Sequence, residues 1–446
     1  MPRLLLTHAL ATFLISSGLG VAWFLAALIA RKAFGAGDWQ TFFMTVVLPV
    51  MAVASLLWSE WLRSAPLRRY LWRWWAVACL PLAMIAFAGD FWGLLACHAL
   101  AAFGQAGWSP ALSLILKRSY RDQIHGRAFG FLSIAQVGAI MASTYFGGRW
   151  LDANPEAYRI FIPVIVVLQA VGVWLLNSTL PDEPGAGADA VPTTTPIGAM
   201  GVPAQEAATD RRAPAKRMSP IAGMVAVLRE DRLFTRYEAA FMTYGAGYMI
   251  CEAMFPLYVT DALNLNYTQV ATWAVMLRGG TQLVVSAPAG WVMDALGAAR
   301  TSALSFAVLA LYPLVLIFTG STLGLGIGSA IFGFGLAGVL QGWLLGPVTL
   351  APSPDRAPHY VAIHSALVGV RGVLFQALGI IVYLATGSFA ASFALASLAF
   401  LLGAWQMMLL AKPIRERRLA REAANAAAAE ARTESKPELV VCSEGE

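Results

Sequence analysis

Glu252, Arg278 and Arg371 stand inside stretches that are otherwise apolar over about 20 residues. A charge in such a run must be paired or pay a desolvation cost of several kcal/mol, so each marks a functional position by default. Two guanidiniums against one carboxylate suit an anionic ligand, because the planar fork of arginine grips a carboxylate or phosphate through two parallel hydrogen bonds. Glu252 would then neutralise an arginine in the empty protein, or take up a proton. The plainer alternative is a Glu–Arg pair that locks helices together and touches no ligand. His364 and His98 lie near the ends of their apolar runs, and an imidazole titrates near neutral pH. His364 joins Glu252 as a candidate proton carrier or charge partner, although a lone histidine there also suits plain packing. Gln105 and Gln341 can read a solute or bond across helices, and Trp108 can supply an apolar wall.

These groups need a membrane-spanning scaffold. The 446 residues are 58% hydrophobic and 13% charged, whereas soluble domains carry about 45–50% and about 25%. Twelve apolar runs are long enough to span, at approximately 5–30, 41–58, 72–88, 91–116, 128–147, 160–180, 237–259, 268–293, 301–319, 322–350, 359–386 and 389–411. The first run is too long for a signal-peptide core. The net charge of +6 comes from short basic clusters beside these runs, the pattern of membrane topology and not of nucleic-acid binding. Arg63, Arg68, Arg69 and Arg73 follow the second run; Lys117, Arg118, Arg121 and Arg127 follow the fourth. That side is expected to be cytoplasmic and to carry both termini, in a bacterial inner membrane.

Residues 181–236 are rich in Pro, Gly, Ala and Thr and read as a cytoplasmic linker between a bundle at 1–180 and a bundle at 237–411. The end of the linker, "IAGMVAVLREDRLFTR", can form an amphipathic surface helix. Residues 412–446 read as a cytoplasmic tail, a frayed helix and then disorder, whose basic cluster meets anionic lipid. The halves also repeat. "FGQAG" at Phe103–Gly107 matches "FGLAG" at Phe334–Gly338, "AQVG" at Ala135–Gly138 matches "ALVG" at Ala366–Gly369, and "GLG" at Gly18–Gly20 matches "GAG" at Gly245–Gly247. Parallel six-helix repeats are the plan of one large transporter class.

Between the eighth and ninth runs, Gly290-x-x-x-Asp294-x-x-Gly297-x-x-Arg300 resembles the loop signature of the major facilitator superfamily. "SYRDQIHGRAFG" at Ser119–Gly130, "EAYRIFIPV" at Glu156–Val164 and "VLREDRLFTRY" at Val227–Tyr237 are similar to that family's entries to spans five, six and seven. The resemblance implies an all-α membrane protein of twelve spans in two pseudo-symmetric six-helix bundles. It further implies a cytoplasmic gate at Gly290, Asp294, Gly297 and Arg300, with Arg69 as the surviving residue of the first-half copy. Two family features are absent: an arginine before "GQAG" in span four, and a Gly-Pro element in span five. The reading is a monomeric secondary transporter of a small solute, an organic anion moved with a proton, without cofactor, metal or catalytic group. The alternatives are an exporter of hydrophobic or cationic compounds, and a non-transporting sensor or assembly factor on the same scaffold.

Overall fold

A computed structural model describes residues 2–120, 125–180, 220–352 and 356–434. Among these residues there is no strand. The first rod is α1 (Pro2–Gly20), a π turn at Val21–Leu25, and α2 (Ala26–Lys32). The second is α3 (Asp38–Ala52) and α4 (Ser55–Ser64), and the third α5 (Leu67–Ala78) and α6 (Leu80–Met84). The fourth is α7 (Phe91–Gln105) and α8 (Trp108–Ser119), followed by α9 (His125–Ala153) and α10 (Tyr158–Thr179). A short α11 (Pro220–Glu230) precedes α12 (Arg232–Leu257), which ends in a π turn at Tyr258–Ala262. Then come α13 (Tyr267–Val270), a π turn at Ala271–Met276, and α14 (Leu277–Leu296). The chain closes with α15 (Ala298–Thr319), α16 (Thr322–Leu350), α17 (Ala357–Thr386) and α18 (Phe389–Glu434).

Among the described residues, eight helices are long and apolar enough to cross a membrane: Arg3–Lys32, Leu67–Phe87, Gly130–Ala153, Pro155–Thr179, Ala298–Thr319, Thr322–Leu350, Tyr360–Thr386 and Phe389–Arg421. The other four expected spans are helical too, but they are interrupted or carry charge. The second rod breaks at Val53–Ala54, the fourth at Ala106–Gly107, and α12 and α14 hold Glu252 and Arg278. The linker at 181–219 and the tail beyond 434 lie outside the described residues.

The sequence repeat reappears in the packing. α1 lies against α9 and α10, and α12 lies correspondingly against α17 and α18. Gly104 brings α7 so close to α5 that an added Cβ would sit 2.2 Å from Ala78 Cα; at the equivalent Gly335 it would sit 2.6 Å from Leu309 Cγ. Small residues at such crossings let helices pack where hydrocarbon offers no hydrophobic drive. The halves meet where α3 packs on α17 and α9 packs on α13 and the π turn beyond it. One difference between the copies is the α7–α8 break. There Trp58 Nε1 donates to the Phe103 carbonyl at 2.8 Å and the Tyr70 hydroxyl to the Gly107 carbonyl at 2.8 Å, answering acceptors that the helix leaves. α16 runs unbroken through the matching glycines.

α18 runs on into the expected tail helix as far as Glu434, and two arginines tie its start to the bundle. Arg417 donates two hydrogen bonds of 2.8 Å to Asp231, the residue that caps α12 through the Phe234 N–H and accepts from the Tyr360 hydroxyl at 2.9 Å. Arg421 donates to the Thr349 and Ala351 carbonyls at 3.1 and 2.5 Å, capping α16. Asp231 as cap also explains why the helix begins at Arg232, earlier than position 237.

Two outcomes follow. Gly104→Val should cost about 1–3 kcal/mol through overpacking, read as a lower unfolding temperature in detergent, while Gly290→Ala, where nothing lies within 4 Å, stays near the parent. Burial opposes ionisation of Asp231, but Arg417, the Phe234 N–H and Tyr360 together hold its carboxyl below the usual range. A depressed carboxyl stabilises above its unfolded value of about 3.9, and that contribution is lost as pH falls through the folded value. Asp231→Asn should therefore unfold at a lower temperature than the parent at neutral pH, with the gap closing under acid.

Candidate functional site

Three π turns interrupt the helices, at Val21–Leu25, Tyr258–Ala262 and Ala271–Met276. A π turn inserts one residue per turn and re-aims the side chains beside it, which is why such turns gather at functional sites. Here the first carries Phe24, and the third ends just before Arg278. Between them lies a cavity of about 10 Å³, room for one water, lined by Phe24, Cys251, Glu252, Arg278, Tyr312 and Phe332 among others.

Arg278 is the centre of this cavity. Its Nη1 donates to Glu252 Oε1 at 3.0 Å and its Nη2 to the Tyr248 hydroxyl at 3.1 Å. The guanidinium lies over the Phe332 ring at 4.2 Å and the Phe24 ring at 5.9 Å. A Cβ at Gly333 would fall 2.1 Å from the Arg278 carbonyl, so only glycine lets α16 approach here. The ion pair is partly exposed, 21% and 29% for its two side chains.

Arg371 is brought near but not into the cavity lining. It is buried, donates from Nη1 to the Phe241 carbonyl at 3.1 Å, and lies 5.6 Å from the Tyr244 ring. Its stem fills the notch at Gly245, where a Cβ would meet Arg371 Cδ at 2.4 Å. His364 is paired with a carboxylate that the sequence reading missed: Nδ1 lies 2.8 and 3.0 Å from the Glu238 oxygens, with side chains 1% and 4% exposed. Glu238, Gly245 and Glu252 follow at seven-residue spacing on α12 and so share one face. That spacing was the signal available for Glu238, hidden by its place at the edge of the apolar run.

The remaining candidates sit elsewhere. Trp108 is buried against Trp74 at 5.0 Å in the first half, and Gln105 lies at the α7 break with its amide nitrogen buried. Gln341 is half-buried on α16. None of the three lines the cavity. His98 is a buried packing residue, its Nε2 3.2 Å from the Met44 carbonyl. At the expected gate, Gly297 ends α14 with φ of 79°, a conformation glycine adopts freely. Gly290 has open space beside it, Arg69 and Arg300 are exposed, and the Asp294 side chain lies outside the described residues.

The contacts that visibly close the molecule are on the side opposite the basic loops. Arg31 pairs with Asp38 at 2.9 Å and with Asp261 across the halves. Lys32 Nζ donates to the Leu265 carbonyl at 2.5 Å. Asp152, at the end of α9, accepts from the Tyr267 and Thr268 N–H groups at 2.9 and 2.8 Å, so one half caps a helix of the other. Sequence reading missed this seal, whose members look like ordinary loop charges.

Helix order and the repeated packing give a fold shared with two solved transporters. The chain resembles the crystal structure of the human organic anion transporter MFSD10 (TETRAN), at 14% identity, TM-score 0.63, covering 91% of this chain and 99% of that one. It also resembles the nucleoside transporter NupG, solved as a mutant, at 13% identity, TM-score 0.65, covering 93% and 99%. No protein-family model matches the sequence, and neither does any curated protein.

The seal yields a test through Cys251, which is buried and lines the cavity. Asp152 is exposed, so its two bonds are discounted to about 1 kcal/mol, a shift of about fivefold in the open population. In a Cys79→Ser, Cys97→Ser, Cys442→Ser background, Asp152→Asn should speed maleimide labelling of Cys251 from that side several-fold. An unchanged rate removes Asp152 from the seal.

Proposed function

We propose that the protein is a secondary transporter that moves a small organic anion by alternating access, with a proton as the coupling ion. The observation that carries the reading is Arg278, a guanidinium lining a cavity between the halves and held in reserve by Glu252. An entering carboxylate replaces Glu252 in the fork of the guanidinium, while Phe24 and Phe332 offer flat walls to the rest of the solute. The rival exporter of cations asks for an exposed Glu252 and for both arginines in structural pairs; Arg278 is paired with Glu252, but Arg371 meets only a backbone carbonyl, so a guanidinium without a carboxylate partner remains beside the cavity. The fold shared with an organic anion transporter and a nucleoside transporter is compatible with a small polar solute.

In this reading residues 1–180 and 237–411 are the rocking bodies, 181–236 the linker and 412–446 the tail. The basic side is cytoplasmic, in a bacterial inner membrane, and the protein works as a monomer. The Arg31, Lys32 and Asp152 contacts form the outer gate, closed in this conformation. Gly290, Asp294, Gly297, Arg300 and Arg69 belong to the inner one.

A thermal-shift comparison with benzoate, uridine and tetraphenylphosphonium tests the charge preference. At about 100 times its dissociation constant a ligand stabilises the fold by about 2.7 kcal/mol. Benzoate should raise the unfolding temperature of the parent and not of Arg278→Gln. A cation that shifts both proteins equally, with benzoate inert, defeats the anion reading.

A further inference from the structure

We infer that the coupling proton is carried by the Glu238–His364 pair, with Glu252 acting as the standing counter-ion of Arg278; this rests on the anion reading above. The reason is the balance of charge along α12, α14 and α17. The second half holds two guanidiniums, Arg278 and Arg371, and two carboxylates, Glu238 and Glu252, of which Arg371 and Glu238 are buried and the Arg278–Glu252 pair is partly exposed. Glu252 is engaged by Arg278 at 3.0 Å. Arg371 has no carboxylate in contact, since its Nη1 goes to a backbone carbonyl and its Nε has no partner. The carboxylate left to balance Arg371 is Glu238, seven residues along α12, about 10 Å by helix rise, from Gly245, where the Arg371 stem lies.

The pair is built to take a proton. With the Nδ1 proton donated to the Glu238 carboxylate, the lone pair of His364 Nε2 is free, and that atom is buried without a partner. The ring is held edge-on to Phe241 at 4.9 Å and to Trp343 at 5.4 Å, so protonation breaks no existing bond. A single N–H bond forms, and the imidazolium then cancels Glu238. Arg371 is left uncompensated beside the cavity, and the site as a whole gains one positive charge. A bound anion restores neutrality, so proton and anion each favour the arrival of the other, as reciprocal linkage requires. The transported unit is one proton with one negative charge.

The pair has few other ionisable neighbours. Among the described residues, α12 contributes Tyr237 and Tyr244, and α17 contributes Arg371 and Tyr360. α15 presents Ser302 and Phe306, and α16 presents Trp343. α3 and α18 bring Pro49 and Phe400 into the neighbourhood. The Asp231–Arg417–Tyr360 cluster lies further toward the basic side and is internally satisfied.

The test uses purified full-length protein and two readouts. In the first, nitrogen-15 histidine spectra follow the five histidines without any ligand, assigned by comparison with His364→Gln. The His364 ring should gain a proton as the medium is acidified, in the parent and in Glu252→Gln. A His364 that keeps one protonation state throughout the range in which the protein stays folded overturns the proposal. In the second, benzoate is added to weakly buffered protein containing a pH-sensitive dye. The parent should take up protons on binding; His364→Gln and Glu238→Gln should bind benzoate without proton uptake, and in proteoliposomes should exchange it while losing uptake driven by a pH gradient. Unchanged proton uptake in both variants also overturns the proposal. Failure of benzoate and other carboxylates to bind the parent defeats the anion reading and the coupling with it, a result distinguished from loss of the proton site by the ligand-free spectra.

Discussion

An ion in hydrocarbon must be neutralised by its neighbours, and the second half of this protein is arranged around that requirement. α12 places Glu238 and Glu252 on one face, and α14 and α17 each bring an arginine to it. Two glycines make the arrangement possible without cavities or clashes. Gly245 leaves the notch that the Arg371 stem fills, and Gly333 admits α16 to the backbone of Arg278. Shifting either helix by one residue would carry a charge away from its partner, so the register of these helices is fixed by electrostatics as much as by packing.

The first half meets a different demand with different means. Its pair of like burial to Arg278–Glu252 is Arg31–Asp38, at the rim, and among the described residues it has no counterpart of the buried Glu238–His364 pair. Its broken fourth rod exposes carbonyls at mid-bundle, and Trp58 and Tyr70 answer them with N–H and O–H donors. Trp74 and Trp108 pack beside this break. The first half thus supplies walls and closure, through Phe24, Arg31 and Asp152, while the second supplies charge. Divergence of the two copies is a division of labour.

Much of this was legible in the sequence. Apolar runs gave the helices, because span length is fixed by bilayer thickness, and the glycine repeats gave the close crossings at Gly104 and Gly335. Arg278 and Glu252 were legible as residue types, since any charge inside a span calls for explanation. That Glu252 would meet an arginine was legible too; which arginine was not, because contact between α12 and α14 depends on helix rotation, and runs that are apolar all round carry no rotational signal. Glu238 escaped for a related reason: after the charged stretch "REDRLFTRYE" it looks like the polar flank of a span, and only its pairing with His364 shows it to be interior. Trp108 went the other way, an aromatic that suits a cavity wall and serves as core. The Asp152 cap was invisible, since a carboxylate at one helix end says nothing about which helix of the other half will meet it.

That cap has a consequence of its own. Its two amide donors, its carboxylate and the neighbouring Arg31 cluster all sit at the aqueous rim, where mobile ions compete for them within a Debye length of about 8 Å at physiological ionic strength. Glu238, deep in the second half, is shielded from the same ions by the protein around it. Salinity at that rim is therefore a lever on how firmly the two halves are tied there, while the Glu238–His364 contact is left almost untouched.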